Sequence, residues 1–394
     1  MKVYITYKSE LDPNNVQRTA LLRHANCARF AYNWGLQRKQ EVWWMNQLPV
    51  PHIKTPTAID LHRELNVLKR SKFGWMYDLS KCAPQEALRD LDSAFKNFFE
   101  GRAKYPRFKS RRSGVASFRM TGIIRAETSH IVLPRVGHVR LKERGYLPTQ
   151  GHILFATVSE HGGRWFASIH MQVERNDPTL RAGEPVGVDL GIHHLAVTSD
   201  GTVVENPRAL ARKQRKVARL SKKISRKKKG SANWEKAVKR LRRLDLRIAC
   251  VRKDAINKAT TMIARTKPII VIESLRPQNL VREHKLARSL LDASFGEFIR
   301  QMEYKCLWYG STLIKADPFY PSTKRCSSCG NVKAGMARSE RTYSCQVCGF
   351  VMDRDLNAAR NLASVAASSV ETVNACGECV RPEEPSGCES GSGL

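Results

Sequence analysis

Acid is scarce in this chain. Its 394 residues include 36 Asp plus Glu against 68 Lys plus Arg, a formal charge of +32. Such an excess works against the compact state by self-repulsion unless a polyanion neutralises it, so nucleic acid is the expected partner. Long apolar runs are also missing. None approaches the ~18–20 residues that cross a bilayer, which excludes a spanning helix. The opening stretch, Met1-Lys2-Val3-Tyr4-Ile5-Thr6-Tyr7, alternates like a strand and lacks the apolar core of a signal peptide, so an intracellular protein is expected. Eleven cysteines, an odd number in a long basic chain, exclude a disulfide framework. No His-x-His occurs among the eleven histidines. That argues against a single-strand transposase, which pairs two such histidines with a Tyr nucleophile.

What is present is organised around Val186-Gly187-Val188-Asp189-Leu190-Gly191-Ile192. With the His193 to Thr198 stretch that follows, it reads as a buried strand ending in an acid, then a tight turn and a second apolar strand. Gly187 and Gly191 allow a close backbone approach or a sharp turn. A second apolar, β-branched run, Pro268 to Ile272, is closed by Glu273. A third acid, Asp355, opens a helical pattern carried by Leu356, Ala359, Leu362 and Ala363. Taken singly, Asp189 reads as a turn cap and Asp355 as a helix cap. Taken together, strand-Asp, strand-Glu and helix-start-Asp are the elements of a ribonuclease-H-like site. Neighbouring carboxylates raise one another's pKa, and two Mg²⁺ ions, set ~3.5–4 Å apart, would remove that conflict and clamp a phosphodiester.

The remaining patterns are simpler. Residues 1–8 form a strand, and Asn14 to Phe99 is helical. The loop 101–112 mixes bases with Tyr105 and Phe108; it suits stacking on nucleobases, or equally a solvated loop with its aromatics tucked in. Short strands between Ala116 and Glu174 suggest a small antiparallel barrel. Arg212 to Lys253 reads as a basic helical hairpin turning at Lys228-Lys229-Gly230-Ser231. Cys326-Ser327-Ser328-Cys329-Gly330 and Cys345-Gln346-Val347-Cys348-Gly349 have the spacing of a closed, structural four-thiolate Zn²⁺ site. Cys376 and Cys379 form a third CxxC without a partner pair, in a Ser-, Gly- and Glu-rich tail.

These motifs resemble the TnpB (OrfB) family of insertion-sequence proteins, relatives of the type V CRISPR effectors. The resemblance covers almost the whole chain: Tyr32-Asn33-Trp34, Ala94 to Phe99, Pro106-Arg107-Phe108-Lys109, Gly187 to Gly191, Gly296 to Gln301, the paired CxxC motifs and Asp353 to Ala359. It implies an α/β multidomain fold. The expected order is a first wedge-barrel strand at 1–12, a helical recognition lobe at 13–112 and the wedge β-barrel at 113–180. A RuvC-type (RNase H-like) nuclease follows at 181–322, with a basic hairpin at 205–262, then a zinc ribbon at 323–350, the last nuclease helix at 351–369 and a disordered tail at 370–394.

The resemblance further implies an RNA-guided DNA endonuclease encoded by a transposable element, with Zn²⁺, catalytic Mg²⁺ and a guide RNA from the transposon end, acting on double-stranded DNA in a prokaryotic cytoplasm. Asp189, Glu273 and Asp355 match its catalytic acids, with Asp353 the nearest competitor, expected either to support the ligands from behind or to cap the helix. Lys81 and Gln85 match its readers of a short target-adjacent motif, with Cys82 where a relative has an aromatic. Tyr105, Arg107, Phe108, Lys109, Lys227, Lys228 and Lys229 are the expected phosphate and base contacts. The alternatives are a catalytically silent RNA-guided repressor and a transposase accessory protein.

Overall fold

The computed structural model describes residues 2–49, 51–110, 115–275, 287–337 and 339–375, with side chains to residue 366. Arg111, Arg112 and the tail cysteines Cys376 and Cys379 lie outside the described residues. The chain divides into two compact units, Met1–Asp177 with Val217–Leu246, and Pro178–Lys216 with Arg247–Leu394. No helix among the described residues is long and apolar enough to cross a membrane.

In the first unit, strand β1 (Lys2–Leu11) leads into helices α1 (Asn15–Met45), α2 (Ala58–Ser71) and α3 (Cys82–Phe99). A capping box starts α1: Asn14 Oδ1 accepts from the Gln17 N–H, and Gln17 Oε1 accepts from the Asn14 N–H. Leu21, Ala25, Ala28, Tyr32 and Leu36 recur at helical spacing and are buried. They face Leu61 and Leu65 of α2 and Leu88 and Leu91 of α3 in one core. Each buried Leu in that seam contributes roughly 1.5–3 kcal/mol relative to exposure. Gly35 faces side chains of both partner helices; a Cβ there would stand 2.6 Å from Leu88 Cδ2 and 3.3 Å from Leu61 Cδ1.

The strands of this unit are β2 (Ser117–Met120), β3 (Arg125–Ala126), β4 (His130–Leu133), β5 (Gly137–Arg140), β6 (His152–His161) and β7 (Arg164–Glu174). Hydrogen bonding joins them into an antiparallel sheet β1-β7-β6-β2 and a smaller sheet β3-β4-β5, rather than one closed ladder. A single bridge, Leu11 to Leu141, links the two. The chain leaves the larger sheet after β2, at residues 121–124, and returns to it before β6 through residues 141–151; Gly122, Gly145 and Gly151 take positive φ in these two connections.

The second unit is built on a five-stranded mixed sheet of order β10-β9-β8-β11-β12, from β8 (Pro185–Asp189), β9 (His194–Thr198), β10 (Val203–Glu205), β11 (Ile269–Glu273) and β12 (Thr312–Ala316). β8 runs antiparallel to β9 and parallel to β11. After β10 the chain passes at Val217 into the first unit and returns at Arg247; helix α4 (Gln214–Ser225), most of which counts with the first unit, buries no residue, so its basic surface is solvated. Helix α5 (Ala232–Thr266) leads to β11, and α6 (Ala287–Ala293) and α7 (Phe295–Tyr309) lead to β12. Ile270 and Ile272 pack on Ile256 and Ile263 of α5 and on Phe298 and Met302 of α7. Val271, pointing the other way, packs on Leu362 and Ala366 of α8 (Arg354–Ala375). A strand covered on both faces must read as a continuous apolar run, as β11 does. Between β12 and α8 lie the hairpin strands β13 (Thr342–Ser344) and β14 (Val351–Asp353). α8 runs to Ala375, past the expected helix end at 369.

Candidate active site and nucleic-acid interface

Asp189 ends β8 and Glu273 ends β11, the strand hydrogen-bonded beside it in parallel. Asp355 lies in the first turn of α8, the helix seated on those strands. Three remote stretches are therefore brought to one edge of the sheet. Burial, then the charges of Glu273 and Asp355, push the Asp189 carboxyl well above the usual carboxylate range. Glu273 Oε1 accepts from Ser322 Oγ at 2.5 Å. Asp355 is buried, and its Oδ1 accepts from Arg354 Nε at 3.1 Å and Nη2 at 3.0 Å. Asp353 plays a different part: its Oδ1 accepts the N–H groups of Asp355 at 2.9 Å and Leu356 at 3.0 Å, which caps α8. A pocket of about 750 Å³ opens on Asp355 and is lined by His193, Arg208, Arg288, Arg341 and Arg354; Asp189 and Glu273 do not line it.

Among the described residues, only Cys326, Cys329, Cys345 and Cys348 bring three or more metal-ligating atoms within 4.8 Å of one another; the carboxylates are less tightly drawn. The thiols stand 3.7 Å apart for Cys326 and Cys348 and 3.6 Å for Cys329 and Cys345. A tetrahedron of ~2.3 Å zinc–sulfur bonds has edges of about 3.8 Å, so the cage fits zinc. Gly330 and Gly349, both at positive φ, return each knuckle so that their N–H groups donate to the Cys326 and Cys345 carbonyls. The backbone N–H groups of Cys348 and Val347 hold the Cys345 thiol down, at about 6.

Two side chains that sequence reasoning assigned no role fix this cage to α8. Asn357 is fully buried, accepts from the Ser327 N–H at 3.0 Å and donates to the Arg325 carbonyl at 2.7 Å. Asn361, one turn on, donates to the Ser322 and Arg325 carbonyls at 2.8 and 2.6 Å. Two asparagines four residues apart on an otherwise apolar helix face were the available signal.

In the first unit, a groove of about 1150 Å³ is lined by Arg18, Arg29, Arg107, Lys109, Arg119, Lys239 and Arg242 among the aromatics Phe108, Trp165 and Trp234. Of the expected contacts, only Arg107, Phe108 and Lys109 line it. Asn33 pins that loop to α1 by accepting the Lys109 N–H at 2.7 Å and donating to its carbonyl at 2.9 Å. The Lys109 ammonium lies 3.7 Å from the Tyr32 ring centre, and burial lowers its pKa. Tyr105 packs edge-on against Phe95 and Phe98. Lys81 and Gln85 stand a turn apart at the start of α3, whereas Cys82 is buried with its Sγ donating to the Thr121 carbonyl. Lys228 and Lys229 are exposed in the turn before α5, with Lys227 half-buried.

The molecule is thus a multidomain α/β protein carrying a carboxylate cluster, a four-thiol cage and a basic groove. Three family profiles match it. OrfB_IS605, described as "Probable transposase", covers residues 168–283; the OrfB_IS605 "Helix-turn-helix domain" covers 1–47; a "Cas12f1-like, TNB domain" covers 295–362. The stretch at 1–47 folds here as one strand and one long helix. A Streptomyces pristinaespiralis protein named RNA-guided DNA endonuclease is 34% identical over 385 residues, 96% of this chain and 92% of that one. InsQ of Escherichia coli K12, named likewise, is 33% identical over 401 residues, 98% and 97% of the two chains. A solved Cas12f1–sgRNA–target DNA complex is 13% identical, covering 92% of this chain and 99% of that one, with a TM-score of 0.48. The chain belongs to the TnpB (OrfB) family.

Proposed function

We propose that this chain is an RNA-guided DNA endonuclease of the RuvC type, encoded by a transposable element, that cuts DNA beside a short target-adjacent motif. One observation carries the reading: two acids closing adjacent parallel strands and a third opening the helix across them stand close enough that, after burial, the charges of Glu273 and Asp355 further raise the Asp189 carboxyl. Such like-charge crowding is costly without a cation. The strand order, with three antiparallel strands followed by two parallel ones, fits an RNase H-like core, and the names of the full-length relatives agree.

The donor set is all oxygen, which suits Mg²⁺. Bound there, Mg²⁺ would activate water and stabilise charge on the scissile phosphate. The carboxylates of Asp189, Glu273 and Asp355 would hold it, and the four thiolates would hold a structural Zn²⁺. Base pairing between guide and target reads sequence, while Arg107, Lys109 and the other groove cations neutralise phosphate. Lys227, Lys228 and Lys229 are further phosphate contacts, and Tyr105 and Phe108 stack on bases. Lys81 and Gln85 read the adjacent motif. Cys82, being buried, takes no part in that readout.

The test is to express the chain with its flanking transposon end, sequence the RNA that co-purifies, and challenge the complex with matched DNA. RNA from the transposon end and Mg²⁺-dependent cutting of matched DNA are expected. A bound RNA with target binding but no cutting would instead identify a repressor.

A further inference from the structure

Arg354 is the member of the Asp353-Arg354-Asp355 triplet without a part in the reading above. Its guanidinium grips a single oxygen of Asp355, with Nε at 3.1 Å and Nη2 at 3.0 Å from Oδ1. The same group reaches the turn before β13, where Nη1 donates to the Glu340 carbonyl at 3.0 Å. Its backbone N–H donates to the Arg341 carbonyl at 2.8 Å. Both side chains are shielded, at 17% exposure for Arg354 and 10% for Asp355. Asp355 Oδ2 has no hydrogen-bond donor among the described residues. It faces Gly191, where a Cβ would stand 4.0 Å from it. Gly191 is two residues past Asp189, and the Asp355 charge acts on the Asp189 carboxyl, so the ungripped oxygen lies beside the strand end that carries Asp189.

A planar guanidinium held at several points fixes the rotation of the carboxylate it binds, which an ammonium on a flexible stem does not. We propose that Arg354 is a positioning residue: anchored on the Glu340 carbonyl, it holds Asp355 Oδ1 and thereby aims Oδ2 at a divalent cation shared with Asp189. The proposal rests on the nuclease reading above. The opposing expectation is purely electrostatic. A cation beside a ligand repels a second cation, so on that view neutralising Arg354 tightens metal binding.

The two views predict opposite signs, and Mn²⁺ is the probe. Binding is measured by electron paramagnetic resonance on the full-length, zinc-loaded chain without RNA, whose phosphates would bind the probe themselves. Arg354→Gln removes the charge and the fork; Arg354→Lys keeps the charge and loses the fork. Both should weaken Mn²⁺ binding about tenfold or more, as loss of groups that orient metal ligands does, with zinc content and thermal melting retained. Unchanged or tighter Mn²⁺ binding by Arg354→Gln overturns the proposal, as does full wild-type affinity in Arg354→Lys. Asp355→Ala separates the two failures. If it binds Mn²⁺ like the wild type, the nuclease reading falls and the proposal with it; if it alone loses Mn²⁺, only the role of Arg354 falls.

Discussion

Gly187 and Ala359 meet backbone to backbone: a Cβ on Gly187 would stand 1.9 Å from the Ala359 carbonyl oxygen and 2.6 Å from the Ala363 nitrogen. Neither obstacle is a flexible side chain. β8 and α8, which carry Asp189 and Asp355, can touch only because residue 187 has no side chain. Gly187→Ala should therefore push the helix off the sheet, costing about 3 kcal/mol, the upper end for overpacking. Thermal melting checks this. Gly191→Ala, whose closest approach is 3.0 Å to the His194 carbonyl, should cost clearly less. Equal melting temperatures for the two variants would rule out this account of Gly187.

The approach at Gly187 was legible as a possibility, because a glycine within a β-branched run has few other uses. The strands ending in Asp189 and Glu273 were legible too, since a strand covered on both faces loses its polar alternation. What periodicity cannot carry is the identity of distant partners. Arg354 carries no periodic signal, yet its contacts reach Glu340 and Asp355. Asn357 and Asn361 drew no assignment from the helical pattern, yet both are buried against the cysteine knuckle. Lys305 read as nothing at all. The barrel expected between 113 and 180 turned on whether short strands close a ladder, and strand patterns do not encode closure.

The cysteine cage should hold one Zn²⁺, and Cys345→Ser should lose it. Elemental analysis of the purified variant reads this directly; retained stoichiometric zinc would exclude Cys345 as a ligand. Asn357 and Asn361 tie the first knuckle to α8. Losing zinc should therefore also loosen the seat of Asp355 and lower cleavage at saturating Mg²⁺.

Lys305 makes a pH prediction. It is 3% exposed, and its ammonium donates to the Asn257 carbonyl and Oδ1, to Thr260 and Thr261 Oγ1, and to Gln301 Oε1. No carboxylate is among these acceptors. Burial pulls its pKa down to about 8, whereas an unfolded lysine titrates near ~10.4. Between those values the unfolded chain binds more protons than the folded one, so stability rises with pH over about 8 to 10.4 and is flat below. The urea midpoint should climb across that window in the wild type. Lys305→Met should lack that component of the climb; the same slope in both proteins would mean that Lys305 keeps an ordinary pKa.

The acids give the last prediction. Asp189→Ala should abolish cleavage of matched DNA while guide and target binding persist, because affinity comes from base pairing and phosphate contacts made elsewhere. Glu273→Ala and Asp355→Ala should do the same, since each removes one oxygen donor from a shared cluster. Combining all three should be little worse than any one, because residues acting as a unit are not additive. Asp353→Ala is the control. Its Oδ1 accepts the first N–H groups of α8, so its loss should cost about 0.5–2 kcal/mol of stability and leave cutting largely intact below the melting temperature. Cleavage assays at matched guide loading decide between the two aspartates. Inactivity of Asp353→Ala beside an active Asp355→Ala would exchange their roles, and activity in all four variants would remove the nuclease assignment from this cluster.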